Sequence, residues 1–502
     1  MKRFLLRLLA LFILLSLSCQ AITPVGTPTN QPPTQVPPTP PRSTSTPLAV
    51  PTALPTTAAQ VATPTAAATE LSIPPEQLSA GDPYIPEIGN RGYDVSWYAL
   101  DLTLDPQQPG LDAQVIITAT TTEDISALSL DFVGFEIDAV TVDEVPAVYQ
   151  RLNKKLLVAL PQPLAASSTF RLDVAYHGQP EKIASRYVPF VPSLGLFYVP
   201  DANGLFVAAE PDGARNWFPC NDHPSDKAAY RFNLNVPYGL TAVANGVLVE
   251  STTSYAGNYF TWVHSQPLAT AFVTVAVGKY ERIESLSPQG VPIRSYLRSE
   301  QVVAYHAKEA AIGEMIDWLG AMFGPYPFDE FGYVSVPSLG ASLETQTMVL
   351  LGTEDFFEGI LIHEMAHMWF GDWVSLDSWG EIWRSEGFAT YLVALWSNRD
   401  DPTAFENDIA TMAQSMQDYP ATFPLNDPPP HEMFGQQTYY GAAVVIHALR
   451  QTVGDEAFFT GLRLYFERYG GGSASDADFQ AVLEEAAGLS LDEFFASWFK
   501  EP

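Results

Sequence analysis

His363-Glu364-Met365-Ala366-His367 lies within the run "LIHEMAHMWFGDW", and Glu386 follows in "WRSEGFATYL". Residues four apart on a helix share a face one turn along the axis, so His363 and His367 can present their imidazoles to one ion. Glu364 stands beside them on the same edge. Zinc accepts imidazole nitrogen and carboxylate oxygen, and a catalytic zinc keeps a fourth position for water. Glu386 supplies the third ligand in this reading, because a helix, a turn and a returning helix bring its carboxylate against the first helix. Such a zinc acidifies water and polarises a scissile carbonyl, and Glu364 is placed to take the water's proton and later pass one to a leaving amine. Histidine is scarce here, with eight in the chain, which makes a chance match rare. The competing readings are a structural pair of helix histidines and a solvated glutamate at 386. A second "HEM", at His431-Glu432-Met433, has Gly435 where the second histidine would stand and reads as loop surface. His447, in an apolar helical run, reads as a core histidine.

Positioning these residues requires helices after a long β-rich stretch. From 82 to 298 the chain is written in short alternating runs such as "YALDLTLD", "LDAQVIITATTT" and "YRFNLNVP", broken by Gly, Pro and Asn turns. The period of two predicts an N-terminal domain of antiparallel sheets in a sandwich or saddle. Beyond it, "QVVAYHAKEAAIGEMIDWLGAMFG" is helical in period, "YVSVP" is a strand, and helices dominate to the end. Two of these, in "DADFQAVLEEAAG" and "SLDEFFASWF", start from Asp- or Ser-type caps. The expected class is α+β, with a mostly helical catalytic domain carrying a small sheet over 299–502.

The bulk composition narrows the function. A chain of 502 residues calls for two or more folded units, and 47% apolar residues suffice for sizeable cores. The formal net charge of −32 argues against nucleic acid and against a basic membrane-binding patch. The start, "MKRFLLRLLALFILLSLSCQ", reads as an export signal over residues 1–19, and Cys19 after "SLS" resembles a lipid-attachment site. Ordinary cleavage nearby is the alternative. The Thr-, Pro- and Ala-rich segment 20–81 reads as an extended, disordered linker. The expectation is an exported protein touching membrane through a lipid anchor only, at the cell envelope. Cys220 is the one other cysteine and reads as a buried small apolar residue.

With "WFGDWV" and "SEGFA" around the candidate zinc residues, the chain resembles the aminopeptidase N family of zinc metallopeptidases, relatives of leukotriene hydrolase. The resemblance covers nearly everything from about residue 85 onward. It includes Glu210-Pro211, Ala214-Arg215, Phe218-Pro219-Cys220 and Asp222-His223-Pro224 before the catalytic domain, and "FGPYPFDEF" at its entry. It implies a thermolysin-like catalytic domain, one zinc per chain and peptide substrates with a free N-terminus. Larger members continue into further domains. A two-domain form implies a more open cleft.

The family's Gly-Ala-Met-Glu-Asn motif corresponds to Ala341-Ser342-Leu343-Glu344-Thr345, which keeps the glutamate but not the glycine or the asparagine. The resemblance implies that Glu344 grips the substrate's α-amino group and that Glu210 assists from the other domain. A buried ammonium needs compensating carboxylates, and the nearby strand edge can pair with a peptide backbone. The family's oxyanion tyrosine aligns with Tyr439, with Tyr440 as the alternative. Ser385 and Asp372 stand where the family has asparagines. A zinc endopeptidase, and an inactive binding protein on the same scaffold, remain open beside the aminopeptidase reading.

Overall fold

The computed structural model describes residue 73 and residues 78–352, 357–418 and 422–499. Cys19, the signal segment and nearly all of the 20–81 linker lie outside the described residues.

The alternating runs form the strands expected of them. Tyr93–Leu104, Leu111–Thr121, Lys227–Val236 and Gly257–Ala269 are the long central members of an eight-stranded sheet. Val247–Ser254 flanks them on one side, and Thr169–Gly178, Glu136–Val142 and Val145–Pro146 on the other. Inward residues of these strands, such as Tyr98, Leu100, Val115, Ile117 and Phe232, are fully buried, while their neighbours face outward. Pairing in this sheet is antiparallel with one exception. Tyr93–Leu104 runs parallel to Lys227–Val236, which the long chain between them allows. A three-stranded sheet (Ile125–Asp131, Tyr149–Leu152, Lys155–Leu164) shares the same core. So does a four-stranded one (Gly195–Val199, Gly204–Ala208, Thr241–Ala244, Val275–Gly278).

"ALSLDFVGFEIDAVTV" is two strands in different sheets, split at a turn through Gly134 with φ +67°. Strands on either side of the expected boundary at 298 pair with each other. Strands Glu281–Leu286 and Pro292–Leu297 join Tyr333–Ser335, Val349–Leu351 and Ser342–Leu343 in one five-stranded sheet, with Tyr296 paired in parallel with Val334. Alternation marks a strand but carries no information about which sheet it enters.

In the second half the helical period breaks once, into Val302–His306 and Glu309–Phe323. Ser475 caps Asp476–Ala487 through a reciprocal box with Asp478, whereas Asp492–Ala496 starts without a side-chain cap at Leu491. Cys220 is fully buried, as expected. The core of the first half continues into Tyr296, Val334, Leu350, Trp379 and Met433 of the second, so the two halves meet through apolar packing. Among the described residues no helix is long and apolar enough to cross a membrane.

Candidate active site

The helix carrying the histidines spans Glu358–Ala366, with His367 at its C-cap. Leu361, Ile362, Met365 and Ala366 bury its core face, which leaves His363 and Glu364 on the face towards the site. The returning helix, Trp383–Ser397, is buried along most of its length and carries Glu386 in its first turn. Arg384 pins that turn: its Nη1 donates to the Tyr465 hydroxyl at 2.6 Å and its Nε lies 3.0 Å from Asp476. The loop between the helices must pass close beneath His367. Gly371 permits this, because it holds φ +113° and a Cβ there would meet Ser385 Oγ at 2.4 Å.

The two helices bring the three expected donors together. Glu386 Oε2 lies 3.2 Å from His363 Nε2 and 3.6 Å from His367 Nε2. One donor atom from each residue falls within 4.8 Å of the others. The backside of His367 decides its tautomer. Nδ1 lies 3.2 Å from the Phe370 carbonyl, which can only accept, so Nδ1 carries the proton. Ser385 Oγ sits 2.9 Å from the same nitrogen and donates to the same carbonyl at 2.9 Å. Nε2 is therefore a bare lone pair, buried and without a hydrogen-bond partner. Such an outer hydrogen bond orients a ligating histidine.

Around this trio the site is crowded with carboxylates. Glu210 follows the strand Gly204–Ala208, and Glu344 follows the edge strand Ser342–Leu343, so they approach from two different sheets. Glu344 shares a 4.8 Å group with Glu364 and His367, and another with Glu210 and Glu386. Glu210 Oε1 and Glu344 Oε1 are buried and unpartnered. Burial, with Glu386 beside it, pushes the Glu344 carboxyl up to about 8. Burial and the neighbouring carboxylates, Glu344 first among them, push Glu364 and Glu210 well above the ordinary range. Burial also acts on Glu386, but His363, His367 and Tyr439 outweigh it and hold this carboxylate below its usual value. An ion without a partner costs several kcal/mol in such a place. A divalent cation at the His363–His367–Glu386 vertex answers both the bare Nε2 and the excess negative charge, and two imidazoles with a carboxylate are zinc's donor set.

Tyr439 lies in a π-helical turn, Gln437–Gly441, leading into the helix Ala442–Val453. Its ring stacks beside His363 with centroids 6.1 Å apart. Burial raises its hydroxyl, and Glu386, Glu210, Glu344 and Glu364 raise it further. Tyr440 is raised by burial alone, with no carboxylate of the site acting on it. Gly387 lets this segment approach, since a Cβ there would stand 2.5 Å from Ala442 Cβ. His431 is exposed and His447 is buried against Tyr391, Gln451 and Phe405, away from the donors, as expected of both.

Other parts of the site escape sequence reasoning. Lys227 Nζ donates to the carbonyls of Asp372 at 2.7 Å and Trp373 at 3.2 Å, clamping the loop after His367 from 145 positions away. Asn245 Nδ2 donates to the Gln346 carbonyl at 2.7 Å, and Gly246 N–H donates to Thr347 Oγ1 at 2.8 Å, so the first half also holds the strand end bearing Glu344. No local signal announces either tie, because each partner is remote in the chain. Asp372 stands out in the sequence only as a departure; in the fold it is fully buried, with both oxygens unpartnered.

Residues 94–271 match the Peptidase M1 N-terminal domain and residues 315–498 match the Peptidase family M1 domain. The M1 zinc metallopeptidase from Deinococcus radiodurans superimposes with a TM-score of 0.78 at 30% identity, covering 84% of this chain and 97% of that one. The chain belongs to peptidase family M1. A mutant of the Deinococcus radiodurans enzyme bound to a Tyr-Ser-Ala substrate is similar with a TM-score of 0.77, at 30% identity over 84% of this chain and 98% of that one. Aminopeptidase N of Streptomyces lividans is 27% identical over 81% of this chain and 50% of its own length. Human glutamyl aminopeptidase is 26% identical over 58% of this chain and 33% of its own. This M1 chain spans about half the length of the first of these curated relatives and a third of the second. Zinc is the cofactor named for the solved M1 relatives, in agreement with the donor set.

Proposed function

We propose that this M1 protein is a zinc aminopeptidase that removes N-terminal residues from peptides. Zinc held by His363, His367 and Glu386 supplies an acidified water and a positive charge at the scissile carbonyl. Glu364, one residue after the first donor, takes the proton of the attacking water and hands one to the leaving amine. The Tyr439 hydroxyl donates to the oxygen that becomes negative in the transition state. Glu344 and Glu210 hold the substrate's α-ammonium, which sets the cut one residue from the free end.

The observation that carries the choice of end over interior is the pair of unpartnered, buried carboxylate oxygens on Glu210 and Glu344 beside the metal donors. A site for interior bonds has no use for two desolvated carboxyl groups there, whereas an ammonium offsets the cost of ionising them. The test is a panel of peptides and aminoacyl amides, each free and N-acetylated, run with and without a chelator. Cleavage of the free forms alone, lost with chelator, is expected. Equal cleavage of both forms would make the protein an endopeptidase, and no turnover at all would favour a binding role on the same scaffold.

We also propose export and acylation at Cys19, on the strength of the charged start, the apolar run and the Ser-Leu-Ser directly before that cysteine. Cys19→Ser is expected to move the protein from the detergent to the aqueous phase in partitioning. Retention in detergent would refute the anchor.

A further inference from the structure

The outer face of the eight-stranded sheet carries a feature that the peptidase site does not use. A trough of about 790 Å³ opens where six adjacent strands approach their ends. Its floor is one transverse row of register partners: Thr252, Tyr259, Asn235, Thr103, Asp112 and His177. Each strand contributes one outward side chain, and at about 4.8 Å per strand the five steps extend about 24 Å. His177, held by Asp138 at 2.9 Å, closes one end. Gln108 and Gln179 stand on the rim. Tyr238 rises beside them with 66% of its surface exposed, and Tyr255 is fully exposed at the tip of the adjoining hairpin.

We propose that this trough binds a neutral oligosaccharide strand. Its lining contains no lysine or arginine and includes Asp105 and Asp112, which disfavours phosphates, nucleic acid and acidic polymers. An extended peptide would dock by pairing with a free strand edge. Here the row crosses the strands, five of which have ladders on both sides; a peptide paired to the free side of the sixth, the edge strand Val247–Ser254, would run along that strand and not across the trough. What remains on offer is a line of amide, hydroxyl and carboxylate groups with tyrosine rings at its margin. A chain of sugar rings matches that set, with many hydroxyls for the polar row and apolar ring faces for the tyrosines. The Tyr259 hydroxyl donates to Asn233 at 3.0 Å, which fixes one ring in place before any ligand arrives.

The test uses the full chain in native gels cast with soluble neutral polysaccharides (a β-1,4-glucan, a β-1,3-glucan and an α-glucan), with chitohexaose titrated by calorimetry. At least one of these probes is expected to retard or bind the protein. The double variant Asn235→Ala with Tyr238→Ala, and separately Asp112→Ala, should weaken that binding at least tenfold. Hydrolysis of small aminoacyl amides and the melting temperature should stay unchanged. No binding to any neutral probe overturns the proposal, as does binding that both variants leave intact. Binding of heparin or of an unstructured peptide in place of the neutral glycans overturns it too.

Discussion

Glu344→Ala separates the recognition of a free amine from the chemistry of hydrolysis. Glu344 is 3% exposed, so its contact with an ammonium belongs to the desolvated regime, where deleting one partner costs about 3–5 kcal/mol. An exposed pair would be worth about 1 kcal/mol or less. Glu210 remains to share the ammonium, which places the expected loss at the lower end, about 3 kcal/mol. At about 1.4 kcal/mol per factor of ten, this is roughly a hundredfold fall in kcat/KM for free-amine substrates. N-acetylated analogues, which never used the contact, should keep their low rate. The variant should bind zinc normally. It should also melt no lower than the parent, because removing Glu344 relieves its repulsion of Glu210, Glu364 and Asp372. The assay is kcat/KM on matched free and acetylated aminoacyl anilides, with zinc content and melting temperature measured on the same preparations. A loss below about threefold, or equal losses on both substrate forms, would refute the role given to this carboxylate.

Three further outcomes follow from the same geometry. Glu364→Gln should lower kcat by at least about 10²-fold while zinc stays near one per chain; loss of zinc would mean that this residue is a ligand. Tyr439→Phe should cost about 10²–10³ in kcat, and Tyr440→Phe should cost little, since only Tyr439 lies among the carboxylates; the reverse order would exchange their roles. Ser385→Ala should weaken zinc binding by about 10–100-fold in chelator competition, because it removes the hydroxyl 2.9 Å from His367 Nδ1; unchanged affinity would show that the Phe370 carbonyl alone orients the ring.

The grouping of the three candidate donors was legible because it depends on local order. Helical period places His363 and His367 on one face, and a single helix–turn–helix brings in Glu386. The strands were legible for a similar reason, since alternation is written residue by residue. Sheet membership was not, and 281–297 shows why: the same pattern suits either sheet, and the choice rests on pairing with residues some forty positions further along. The choice between Tyr439 and Tyr440 was equally hidden. Adjacent positions differ by about 100° around a helix, and the π-helical turn that aims Tyr439 at His363 leaves no mark in composition.

The sequence by itself determined which residues could hold a zinc and stand beside it as a base, because "HEMAH" and Glu386 are brought together by helix geometry within one short segment. The resemblance named Glu344 and Glu210 for the proposed grip on a free amine, but that the two carboxylates stand together beside the donors was decided by tertiary structure. Glu210 and Glu344 stand 134 positions apart (344 − 210), at the ends of strands in two different sheets. They come together only because apolar packing presses those sheets together around the His363–His367–Glu386 donors. Helix periodicity acts over a few residues, whereas this meeting of charges depends on packing across the whole chain.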